Sequence, residues 1–153
     1  MRLGAALAAS RPRPAVVYLH GDLGAGKSTL ARALLRACGV TGAVRSPTYT
    51  LVEPYRLDDG VDGFHLDLYR IGAADELEFL GLDALAEQSG LWLIEWPERG
   101  AGALPTADLD VRLRVRGDGR EASLTAGSAT GAAWLDRLSE NRHLQDIHVD
   151  DFK

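Results

Sequence analysis

The stretch "HGDLGAGKSTLARALL", residues 20–35, constrains this chain more than any other, because three glycines, a lysine and a hydroxyl stand between an apolar run and a leucine-rich run. Glycine carries no Cβ, so such a turn reaches positive φ and brings backbone N–H groups close to a ligand. The residues Gly21, Asp22, Leu23, Gly24, Ala25, Gly26, Lys27 and Ser28 fit G-x-x-x-x-G-K-[ST]. In that pattern the N–H groups cradle phosphates, the lysine reaches the terminal ones and the hydroxyl holds Mg²⁺. A helix N-terminus leaves N–H groups unpaired and carries partial positive charge, so an anion there meets both needs.

The flanks supply the required context. "AVVYLH" (15–20) reads as a buried strand, and Leu30, Leu34, Leu35 and Cys38 fall at helical spacing before a stop at Gly39. Strand, glycine loop and helix together favour nucleotide phosphates over a plain tight turn with a solvated lysine. The net charge of −5 does not oppose this. Exposed charges beyond a Debye length of about 8 Å are screened, whereas Lys27 and the loop amides touch the phosphates directly. The same balance argues against independent nucleic-acid binding, since no basic surplus exists to release counterions.

At 153 residues and 46% apolar, the chain suits one core, so residues 1–153 are expected to form a single domain. Residues 1–14 are an alanine-rich extension, a short helix or a loose end, and too short to span a bilayer. Residues 140–153 are a polar stretch, read as a flexible or docking tail. One cysteine, Cys38, forms no intrachain disulfide, which fits a reducing, cytoplasmic setting without membrane attachment.

Two β-rich segments, about Thr48 to Leu57 and Gly63 to Arg70, flank "DDG" and read as a hairpin. "ADELEFLGLDALAEQSG" reads as helical, broken at Gly81, and "LWLIEW" as a buried strand. In "DLDVRLRVRG" strict alternation puts Leu109, Val111, Leu113 and Val115 on one face, and "EASLTAG" returns to complete a second hairpin. Arg112, Arg114 and Arg116 then form a solvated strand face rather than an RNA patch. "ATGAAWLDRL" is a last amphipathic helix.

Phosphate chemistry needs a metal tether, a group that orients water and a sensor of the terminal phosphate. Glu95, at the end of "LWLI", is the candidate tether; the plain alternative is a surface carboxylate at a strand end. Asp67 in "HLDLYR" lies where aspartate is disfavoured, so it serves the metal's water shell or the attacking water, against a salt bridge to Arg70 or simple exposure. Thr48 in "SPTYT" either ligates a metal through its hydroxyl or senses the γ-phosphate in a mobile loop, against an ordinary threonine opening a strand after Pro47. Trp96 stacks on a base or partner, or belongs to the core, where Trp92 and Trp134 are expected. His20 reads as a satisfied strand-end histidine, and His65 lacks a partner at zinc-ligand spacing.

In this order, "GDLGAGKSTLARALL", "SPTYTLVEPY", "HLDLYRI", "GLDAL" and "LIEWPERG" resemble the TsaE (YjeE) family of small bacterial ATPases, over roughly residues 16–135. The resemblance implies an α/β, P-loop NTPase-like three-layer fold with a mixed sheet including antiparallel hairpins. It implies ATP and Mg²⁺ as cofactors and TsaB and TsaD as partners in making threonylcarbamoyladenosine in tRNA, with tRNA met only through that complex. Hydrolysis would reset the complex between turnovers. Carried over, Gly21 to Thr29 hold the phosphates with Lys27 on the terminal ones, and Ser28 and Glu95 are magnesium ligands. Asp67 is the acid needed for hydrolysis, Thr48 lies in the switch-like loop, and Trp96 follows the metal-binding glutamate. Ser28 stands where the family often has threonine, and the segment before "AVVYLH" shows no adenine-contacting side chain. No arginine is an obvious cis finger, which implies slow turnover without partners. A P-loop small-molecule kinase and a nucleotide-gated, non-enzymatic assembly module are the alternatives.

Overall fold

The computed structural model describes residues 2–47, 50–82, 84 and 89–140. Its strands are β1 (Ala15–His20), β2 (Val52–Arg56), β3 (Asp62–Asp67), β4 (Ser89–Glu95), β5 (Leu109–Arg116) and β6 (Gly119–Ala126). Its helices are α1 (Arg2–Ser10), α2 (Lys27–Ala37) and α3 (Ala129–Ser139), with 3₁₀ helices at Ala74–Leu80 and Pro97–Gly100. The strands form one sheet in the order β2-β3-β4-β1-β5-β6. The four inner strands run parallel, and the antiparallel hairpins β2–β3 and β5–β6 bring in the two edges. This is the expected α/β arrangement with a mixed sheet.

Side-chain alternation splits the core in two. Ala15, Val17 and Leu19 of β1, with Leu91 and Leu93 of β4, face a layer made by α1, α2 and α3. On the other face Phe64, Leu66, Trp92 and Ile94 pack beneath Leu68, Ile71, Leu77 and Leu82. In the second outer layer the sequence reads as two short helices broken at Gly81; the first, Ala74–Leu80, is a 3₁₀ helix, and Leu82 and Ala84 beyond the break are α-helical. Gly81, at φ 65°, ends the first of them, as its lack of a Cβ allows.

Residues 2–10 take the helical alternative, and α1 buries Leu3, Ala6 and Leu7. It lies so close to α2 that a Cβ on Gly4 would stand 2.8 Å from the Cβ of Ala33. The indole N–H of Trp134, a fully buried residue of α3, donates to Ser10 Oγ at 3.2 Å. Two strand boundaries shift by several residues. β2 begins at Val52 rather than near Thr48, and β3 ends at Asp67 rather than Arg70. Leu109, Val111 and Leu113 are buried as the alternation requires, but Val115 is 59% exposed because β5 outruns the helix layer beneath it. Arg112, Arg114 and Arg116 are exposed, and Trp92 is in the core.

Candidate functional site

β1 delivers the chain to residues 21–28 at its C-terminal end, and α2 leaves from them. Gly21, at φ 145°, allows the loop to press on β5: a Cβ there would lie 2.6 Å from the Leu113 carbonyl oxygen. Gly26, at φ 107°, caps α2 without any side-chain hydrogen bond, so the first amides of the helix keep their donors for a ligand.

Lys27 is 4% exposed. Its ammonium donates to the carbonyls of Gly21 and Asp22, the latter at 3.0 Å, and lies 4.3 Å from the centre of the Trp96 ring. Burial pushes its pKa down, while the negative charges of Glu95, Asp67, Asp22 and Glu98 oppose that shift. An ammonium held by neutral carbonyls and a ring face lacks a strong anionic contact, which a phosphate supplies.

Glu95 closes β4 and is 2% exposed. The Ser28 hydroxyl sits 3.0 Å from each of its carboxylate oxygens. His65 Nε2 is 2.6 Å from Oε2, while His65 Nδ1 is buried with no hydrogen-bond partner among the described residues. Asp67 stands beside Glu95 in the parallel register of β3 and β4. It accepts from the Tyr69 N–H at 3.1 Å and is raised above the ordinary carboxylate range chiefly by burial, with the Glu95 charge adding to the shift. Strand alternation places His65 and Asp67 on one face, pointing at α2. That His-x-Asp spacing was the available signal for His65, which a search for zinc partners passes over.

Trp96 occupies a left-handed conformation, φ 56° and ψ 50°, unusual for a bulky residue. Such strain persists only where surrounding contacts fix it. Here the Tyr69 ring lies 5.1 Å from the indole, and the Arg99 guanidinium lies 5.2 Å from the Tyr69 ring centre. Half-buried Trp96 packs against the core and forms a wall over Lys27. A cleft of about 360 Å³ is lined by Leu23, Gly24, Gly26, Lys27, Ser28 and Thr29 from the loop and helix, with Asp67, Tyr69, Arg70, Glu95 and Trp96 opposite. The structure therefore gathers the loop, Asp67, Glu95 and Trp96 into one place. Thr48 lies outside the described residues. His20 is satisfied by Asp110 at 2.7 Å. A wider cleft, about 620 Å³, lies by Leu77, Leu82 and Leu104, away from these groups and without buried charge.

A divalent magnesium ion fits the hydroxyl and carboxylate oxygens of Ser28 and Glu95. Their mutual hydrogen bonds put the donors on one spot beside the phosphate loop, with His65 Nε2 on Oε2 of the same carboxylate. Among the described residues no set of three His, Cys, Asp or Glu side chains forms a complete cage. Magnesium does not require one, because it takes one or two protein oxygens and completes its shell with water and substrate phosphates.

Residues 1–122 match the family model "Threonylcarbamoyl adenosine biosynthesis protein TsaE". A tRNA threonylcarbamoyladenosine biosynthesis protein TsaE from Haemophilus influenzae is 47% identical over 116 residues, 76% of this chain and 73% of that protein. Its counterpart in Bacillus subtilis is 40% identical over 72% of this chain and 69% of that protein. Among solved structures, that of Bacillus subtilis YdiB superposes with a TM-score of 0.71 at 29% identity, covering 91% of this chain and 86% of that one.

Proposed function

The chain belongs to the TsaE family of threonylcarbamoyl adenosine biosynthesis proteins, and on that premise we propose that it is a magnesium-dependent ATP hydrolase acting with a TsaB–TsaD complex. Its hydrolysis resets that complex as the complex modifies tRNA beside the anticodon, and the chain meets tRNA only through its partners. The work is cytoplasmic. No helix among the described residues is long and apolar enough to cross a membrane.

One observation carries the reading: Ser28, Glu95 and Asp67 converge beside the ammonium of Lys27 at the mouth of α2. The loop amides and Lys27 bind the phosphates, Lys27 exchanging its carbonyl contacts for phosphate oxygens. Ser28 and Glu95 would hold Mg²⁺, which supplies charge neutralisation across the terminal phosphates. Asp67 orients a water molecule and accepts its proton as the water oxygen bonds to the γ-phosphorus. The bond from that phosphorus to the bridging oxygen breaks, releasing ADP and phosphate. A carboxylate whose pKa is raised by burial is better matched to that proton transfer than a solvated one. Trp96 covers Lys27 and restricts water on that side. Thr48, in the loop after Pro47, senses the γ-phosphate.

Phosphate release from Mg²⁺ and ATP, with and without TsaB–TsaD, tests the reading. Slow release alone, faster with the complex and absent in Lys27→Ala, is expected. ATP-dependent phosphorylation of a nucleoside or sugar would point to a kinase, and tight ATP binding without release under any condition to an assembly module.

A further inference from the structure

A second cleft, of about 370 Å³, lies at the end of α2 away from the phosphate loop, lined by alanines of α1 and α2 together with Arg11, Arg13, Cys38 and Asp58. The length of α2 puts about 16 Å between the two sites, so this one has no part in the phosphate chemistry.

Arg11 is the feature that calls for a ligand. Its side chain is 4% exposed, and Nη2 donates to Asp59 Oδ2 at 2.7 Å, but Nη1 is buried and has no hydrogen-bond partner among the described residues. A buried guanidinium N–H without an acceptor is costly and rare. Cys38, on the wall of the same cleft, is a poor substitute. Burial pushes its thiol pKa up, Arg11 opposes that shift and Asp58 and Asp59 add to it, so the thiol stays protonated at neutral pH and its sulfur accepts only weakly. The Nη1 donor is left for an oxygen brought from outside.

The charges around the cleft say what carries that oxygen. Arg13 Nε lies 3.1 Å from the Asp59 oxygen that Arg11 already holds, so two guanidinium groups share one carboxylate and their side keeps a surplus positive charge. Asp58 cancels it. That residue is fixed at the end of α2: its N–H donates to the Cys38 carbonyl at 3.0 Å, and its side chain packs over Gly39, where a Cβ would collide with it. Its carboxylate is nevertheless exposed and open to a cation. A plain anion would satisfy Arg11 but meet Asp58, and a plain cation would do the reverse. A molecule that carries both charges satisfies both.

We propose that this cleft binds a small zwitterion of the α-amino acid class, its carboxylate on Arg11 and Arg13, its ammonium on Asp58 and a short aliphatic side chain against the alanines. The cleft has room for it, since small-molecule sites begin at about 300 Å³. A carboxylate gives Nη1 the charge-assisted hydrogen bond that the thiol cannot.

Cys38 is the single cysteine of the chain, so the rate at which a thiol reagent labels it reads this cleft alone. Labelling and calorimetry of the full chain are run with L-valine, with isovalerate, which lacks the ammonium, and with isobutylamine, which lacks the carboxylate. Valine is expected to bind and to slow labelling, and each of the other two to bind more weakly. Arg11→Gln should weaken valine about tenfold, the scale of a charge-assisted hydrogen bond. Asp58→Asn, at an exposed position, should weaken it about threefold. If Arg11→Gln fails to fold because Asp59 loses its partner, the asparagine variant and the two half-ligands still decide. Valine that neither binds nor protects Cys38 overturns the proposal. So does isovalerate binding as well as valine with Asp58→Asn unaffected, which would make the cleft a plain anion site.

Discussion

The two flanks of the phosphate loop are built on opposite principles. On the β3–β4 side, His65, Asp67, Glu95 and Lys27 are all 9% exposed or less; His65 touches Glu95, Asp67 is in register with Glu95, and Lys27 feels the charge of both carboxylates. On the β5–β6 side, Arg112, Arg114, Arg116 and Arg120 are exposed, and the ion pair there joins side chains 73% and 21% exposed. Charges removed from water are expensive unless paired, so the first flank is held by a connected network in which no member is independent. Charges in water are screened and nearly additive. Chemistry that needs defined protonation and position is therefore confined to the flank that excludes water, and the other is left to adaptable contact.

The largest effect should follow from breaking the network at its centre. Glu95→Ala takes the acceptor from both Ser28 and His65, leaving the buried imidazole and the half-buried hydroxyl without their partner. Denaturant unfolding should show a loss of about 1–3 kcal/mol per orphaned group, and Mg²⁺-dependent phosphate release should fall at least a hundredfold, roughly the cost of losing one preorganised electrostatic contact. A variant as stable as the original would mean that the three residues are not coupled.

Asp67→Asn divides stability from activity. Hydrolysis should fall about a hundredfold, the scale of a lost general base, with ATP binding retained in calorimetry. Stability should move the other way. Because the pKa of Asp67 is raised in the folded protein, chiefly by burial, the folded state binds the proton more tightly than the unfolded chain does. The charged form therefore costs stability at pH above the folded value, and that cost fades as pH falls through it. The asparagine variant should melt a few degrees higher at neutral pH, with the gap closing under acid. A lower melting temperature at pH 7 would show that attraction to Lys27 outweighs the burial of the carboxylate.

These expectations also mark what the linear chain discloses. The loop was legible because its requirements are local: glycines at positive φ, then Lys27 and Ser28 opening a helix. Glu95 was legible too, since an acid ending a run as apolar as "LWLI" has few uses at the edge of a sheet. His65 was not, because its role depends on β3 lying beside β4, which sets His65 against Glu95 across thirty residues of sequence. Arg11 was hidden the same way, forty-eight residues from the carboxylate it meets. The exposure of Val115 departs from its alternation because periodicity tells which face a residue takes and not where the covering layer stops. The residues 74–80 kept their apolar pattern but took a tighter helix, as short segments between a turn and a positive-φ glycine often do.

Within the network, His65→Leu should have an intermediate effect. Glu95 keeps Ser28 but loses the partner that fixes its other contact, so its carboxylate is free to rotate. The Mg²⁺ concentration for half-maximal release should rise about tenfold, as for other residues that orient a metal ligand. His65→Gln, which retains a donor, should recover part of it. Equal magnesium requirements in the leucine and glutamine variants would reduce His65 to packing.

The smallest effect belongs to the open flank. Arg116→Ala removes an ion pair with Glu121, but the arginine side chain is 73% exposed and a long side chain must be immobilised to make the contact. Its net contribution should be about 0.5 kcal/mol or less, shrinking further with added salt. Thermal unfolding and phosphate release should both match the original within error, because Arg116 faces away from the loop while its neighbour in space, Arg120, faces toward it. A large loss of activity in Arg116→Ala, with stability intact, would turn this face into part of the site, and the division between a dry chemical flank and a wet contact flank would no longer hold.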